Sequence, residues 1–69
     1  MLYEYACMYR PPSPGAIPRD GLVEVNHNRQ AVVRGRGIWG SATYDRELTA
    51  KETNDYELKL IWKGERREQ

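Results

Sequence analysis

All four prolines of the chain fall between positions 11 and 18, in the run Pro11-Pro-Ser-Pro-Gly-Ala-Ile-Pro18. Proline has no amide donor and pushes its predecessor toward extended backbone, so neither a helix nor a central strand can pass through this stretch. Any sheet must therefore be assembled from what lies on either side. Residues 11–21 form one long connection, well above the usual ~4–6 residues, and a loop of that length is either functional or a strap laid over the fold. Pro14-Gly15 and Asp20-Gly21 suit turns within it. Pro11 and Pro14 also have the spacing of a polyproline II recognition motif. Apparent structure flanks them on both sides, so they are read as part of the connection.

Before the prolines, residues 2–10 alternate. Tyr3, Tyr5, Cys7 and Tyr9 point one way, and Leu2, Glu4, Ala6, Met8 and Arg10 point the other. Period-two alternation with aromatics predicts a half-buried strand. The tyrosine row is either core packing or a platform on which bases could stack. Burial is the commoner fate of such rings.

After the prolines, Leu22-Val-Glu-Val-Asn26 predicts a short strand with Val23 and Val25 on one face. Asn26-His-Asn-Arg29 reads as a polar turn. The stretch Gln30–Asp45 comes next, with Gly35, Gly37 and Gly40, Arg34 and Arg36 set among those glycines, and Trp39. No acidic residue occurs from Val25 to Tyr44. Ala31–Val33 and Ile38–Tyr44 are strand-like. Between them lies either a hairpin tip presenting Arg34 and Arg36 or a bend with a glycine bulge. A turn near Gly35–Gly37, with the arginines at its edge, is expected. Gly35 to Gly40 also match the G-x-G-x-x-G spacing. A dinucleotide fingerprint needs a helix immediately after it, whereas Ser41-Ala-Thr-Tyr44 is strand-like.

Thr49-Ala-Lys-Glu52 is a capping box and predicts one helix, Ala50 to Asp55. Its carboxylates, with Asp45, Glu47 and Glu57 around it, are read as solubilising. Tyr56–Lys63 alternates as a last strand. Tyr56, Leu58, Leu60 and Trp62 are expected toward the core, with Ile61 an exposed exception. Gly64–Gln69 is expected to be a disordered, charged tail.

The result is an α+β domain over residues 1–63: a small, mainly antiparallel sheet of about four strands with one short helix. A 69-residue chain buries only about 60% of the surface its unfolded form exposes. Small folds often compensate with disulfides, metals or partners. One cysteine, Cys7, and one histidine, His27, supply neither a disulfide nor a metal site. They also make an unpromising nucleophile–base pair, so no catalytic residue, metal or cofactor is assigned. No membrane span or leader peptide is visible, and a cytoplasmic location is expected.

The segments Tyr44-Asp-Arg-Glu-Leu-Thr and Asp55-Tyr-Glu-Leu58 resemble pieces of small accessory proteins on bacterial mobile elements. The resemblance covers less than a third of the chain and implies no activity.

With one short helix, one sheet face cannot be fully covered. The leading expectation is a non-enzymatic interaction domain that binds a protein partner, or a second copy of itself, through an exposed aromatic or apolar face or edge. The alternative is nucleic-acid or other anion binding by Arg29, Arg34 and Arg36, with Trp39 or Tyr5 as stacking partners.

Overall fold

The alternating run at the N-terminus becomes β1, Leu2–Cys7, and it lies inside the sheet. A computed structural model describes residues 1–13 and 15–65. The other elements are β2 (Leu22–Asn26), β3 (Val32–Val33), β4 (Arg36–Gly37), β5 (Ser41–Tyr44), α1 (Ala50–Asp55) and β6 (Leu58–Gly64). The main sheet has the order β2-β5-β1-β6 with every pair antiparallel, and β3 and β4 form a separate two-stranded ribbon. This is the expected α+β architecture. Pro14 and residues 66–69 lie outside the described residues, so the Pro14 turn assignment and most of the expected tail lie outside them too.

Register decides which side chains meet. Tyr3 is opposite Tyr44 and Tyr5 opposite Ala42 on one side of β1, while Tyr5 is opposite Leu60 and Cys7 opposite Leu58 on the other. Residues directly opposite share a face, so these side chains lie on the core face, where Leu60 on the edge strand stays exposed. Leu48 and Ile17 close over it. Tyr5 and Tyr44 meet edge-on, their ring centres 6.0 Å apart at 75°, an arrangement worth about 0.5–1.5 kcal/mol beyond area burial.

The two phenol groups pin the segments that cover the core. The Tyr44 hydroxyl donates to the Pro18 carbonyl at 2.6 Å. The Leu48 amide donates to the Tyr5 hydroxyl at 2.9 Å. Burial of both groups raises their pKa, because the charged phenolate is poorly solvated there. The proline-rich connection is thus a strap, fastened by Pro18 and wedged by buried Ile17. Within it the Ala16 amide donates to the Ser13 carbonyl at 2.9 Å, and the Leu22 amide to the Arg19 carbonyl at 3.2 Å.

α1 occupies the expected residues. The Glu52 amide donates to Thr49 Oγ1 at 3.1 Å, and the Thr49 amide donates to Glu52 Oε1 at 2.9 Å. Arg46 holds the same carboxylate in a fork at 2.9 and 2.7 Å and also donates to the Asp20 carbonyl at 3.0 Å. One arginine therefore ties the end of the strap to the start of the helix. Glu52 is held down to about 2, first by the Arg46 hydrogen bond and then by the Thr49 amide.

Two bulges break the simple alternation. One lies between Glu4 and Tyr5, where β6 supplies an extra residue and Trp62 comes opposite Glu4. Trp62 therefore sits on the Glu4 face and not toward the core as alternation predicts, and Ile61 is half-buried. The Trp62 ring also lies 2.9 Å from where a Cβ on Gly64 would be. The second bulge lies between Leu22 and Glu24. It leaves Val23 exposed while Leu22 and Val25 pack on the core, so Val23 and Val25 do not share a face. A bulge inserts one residue, and every side chain after it changes sides.

The face opposite the core carries a buried carboxylate. Glu4 Oε2 accepts from Ser41 Oγ at 2.6 Å and from Arg29 Nε at 3.1 Å. Ser41 and Ala6 are buried beside it. The expected polar turn before Arg29 forms, with the Asn28 amide donating to Asn26 Oδ1 at 2.9 Å.

Candidate functional site

The glycine-arginine stretch folds as a hairpin. Val32 is opposite Gly37 and Val33 opposite Arg36, with Arg34 and Gly35 between them. Both central residues have positive φ, 53° and 77°, as a two-residue turn of type I′ requires. The turn is one residue earlier than expected, and an arginine fills a position that asparagine or glycine usually takes. Left-handed backbone costs a residue with a Cβ roughly 1–2 kcal/mol.

Among the described residues the backbone of the ribbon stays apart from the helix and from the strands of the main sheet. A two-stranded ribbon on its own is marginal in water. Its visible attachment is the Arg36 guanidinium, 4.8 Å from the centre of the Tyr9 ring. Tyr9 lies past the end of β1 and is 57% exposed, so it is not in the core with Tyr5. Trp39, 56% exposed, comes just after the ribbon, and its amide donates to the Cys7 carbonyl at 2.9 Å.

Between this ribbon, α1 and β6 lies an open groove of about 710 Å³. Its apolar lining comes from Leu48, Leu58, Leu60, Met8, Tyr9 and Val33, and its polar lining from Arg34, Glu47, Asn54, Glu57 and Lys59. Arg10 ion-pairs with Glu57. β6 is an edge strand of the sheet, with Leu60 exposed. A smaller hollow of about 370 Å³ on the strap side is lined by Pro12, Ile17, Leu22, Val25, Arg19 and His27.

The five residues singled out in the sequence divide into three groups. Arg34, Arg36 and Trp39 lie in or beside the exposed ribbon. Arg29 is spent on Glu4, on the opposite face of the sheet. Tyr5 is 2% exposed, so its ring is core and offers no stacking surface. Tyr9 and Leu60 belong to the surface, although alternation assigns them to the core. A strand-end position just before Pro11 was the available signal for Tyr9.

Among the described residues, no group of three or more His, Cys, Asp or Glu side chains gathers into a possible metal site. No helix there is long and apolar enough to cross a membrane. Cys7 is buried, and desolvation pushes its thiol up to about 11.

These features define a small α+β sheet domain carrying a projecting basic hairpin beside an open groove. The family model described as "Defence against restriction A C-terminal" matches residues 1–62, and the chain belongs to that family. No curated protein and no solved structure matches it.

Proposed function

We propose that this domain is a non-enzymatic interaction module of an accessory protein, and that it binds a protein partner in the groove between the hairpin, α1 and β6. The observation that carries this reading is the groove itself, apolar along Leu58, Leu60 and Val33 and edged by charges of both signs. Protein interfaces pair an apolar centre with a polar rim and are enriched in Tyr and Arg, and Tyr9 and Arg34 line this groove. The family's description in terms of defence against restriction is compatible with an accessory role. The test is affinity capture from the cell that makes the protein, using the wild-type chain, Leu60→Asp and Val23→Asp. A partner retained by Val23→Asp, on the far edge strand, and lost with Leu60→Asp supports the reading. Equal recovery by all three removes it.

A second reading, binding of single-stranded nucleic acid, draws support from Arg36 over Tyr9 and from exposed Trp39 within the acid-free window. It predicts an affinity for oligonucleotides that falls steeply with salt. Unchanged affinity in the Arg34→Ala/Arg36→Ala double variant sinks it.

A further inference from the structure

The tip of the ribbon holds an arginine where the backbone asks for another residue. Arg34 has φ 53°, a conformation that glycine or asparagine adopts at less cost. Arg34 is exposed, and a Cβ on neighbouring Gly35 would meet only open space. Arg10, Arg29 and Arg46 each hold a carboxylate. Among the described residues Arg34 holds none, and it lines the groove with Lys59. A residue set against its backbone preference, exposed and, among the described residues, without a carboxylate partner is a candidate for work done on another molecule.

We infer that Arg34 recognises a carboxylate on an extended, partly apolar segment of a protein partner laid into the groove. This rests on the interaction reading above and names the chemistry of the occupant. Leu60 and Val33 offer contact to an apolar side chain, and the guanidinium fork matches a neighbouring carboxylate in a two-bond geometry. Among the described residues β6 is the edge strand of the sheet, the kind of position to which an extended chain can add. A string of phosphates fits less well, because Glu47 and Glu57 line the same wall. Glu57 is already compensated by Arg10, which leaves Arg34 and Lys59 against Glu47 along the lining.

The experiment pans a library of random displayed dodecapeptides on the whole chain, in the wild type, Arg34→Asn, Arg34→Asp and Leu60→Asp. Urea unfolding of each variant runs in parallel. The wild type is expected to enrich peptides in which Asp or Glu adjoins an apolar residue. Those peptides bind Arg34→Asn roughly tenfold or more weakly, in line with loss of a charge-assisted pair. Arg34→Asp selects Lys or Arg in place of the acid, and Arg34→Asn unfolds at the same or higher urea. Peptides that need Leu60 but show no acidic preference overturn the role of Arg34 and leave the interaction reading standing. No enrichment by the wild type overturns both. Salt-sensitive binding of a single-stranded oligonucleotide that depends on Arg34, without peptide enrichment, overturns both in favour of nucleic acid.

Discussion

The Arg36 guanidinium stands 4.8 Å over the centre of the Tyr9 ring, and this contact joins the hairpin to the body of the domain. Both partners are exposed, so the pair contributes only about 0.5–1 kcal/mol. Tyr9→Ala is therefore expected to speed amide exchange across Val32–Gly37 while leaving β1 and β5 protected. The global urea midpoint should barely move. A large global loss would mean that the hairpin is integral to the core.

Tyr44→Phe removes the donor to the Pro18 carbonyl. A buried acceptor left without its partner costs about 1–3 kcal/mol. The expected result is that much loss in urea unfolding, together with faster proteolysis between residues 13 and 19 as the strap loosens. Loss of stability without strap cleavage would show that Ile17 alone secures the connection.

Glu52 gives the fold an acid limit. Its folded pKa is about 2, lowered from 4.5 chiefly by Arg46. A depressed carboxyl pKa contributes stability that is complete above the unfolded value and lost as pH falls through the folded one. The Glu52 contribution should therefore disappear between pH 4.5 and pH 2. In Glu52→Gln this part of the pH dependence should be absent, as read from thermal midpoints across that window. An unchanged slope in the variant would place the acid sensitivity elsewhere.

Arg29 and Arg34 should separate stability from binding. Arg29 faces buried Glu4 at 3.1 Å and is itself 36% exposed, so Arg29→Gln is expected to cost about 1 kcal/mol, well below a fully buried pair. It should leave partner affinity unchanged. Arg34→Asn should do the reverse. Denaturation and binding measured on the same two variants check this, and a binding defect in Arg29→Gln would extend the surface to the opposite face.

What could be read from the sequence was local. Thr49 and Glu52 announce their helix because both halves of the capping box lie within four residues. The prolines rule out regular structure wherever they occur, and the alternation of β1 survives as far as Cys7. What could not be read depends on contacts distant in sequence. The bulges that send Trp62 to the Glu4 face and expose Val23 are set by partner strands, which a period-two count does not contain. The burial of Glu4 needs Ser41 and Arg29 brought from far along the chain. The arginine cluster suggested by the acid-free window was only partly real, because Arg29 had a counter-ion waiting on the other side of the sheet. The position of the turn was missed because arginine is a poor guess for left-handed backbone. That same mismatch is what draws attention to Arg34.

The groove beside the hairpin is proposed as the seat of another protein. The most direct measurement is site-specific photo-crosslinking in the producing cell, with the reactive residue placed in turn at Val33, Leu60 and Lys51. Val33 and Leu60 line the groove, and Lys51 is an exposed position of α1 that does not line it. One common adduct is expected from Val33 and Leu60 and none from Lys51. Adducts from Lys51 alone, or the same products from all three positions, would contradict it.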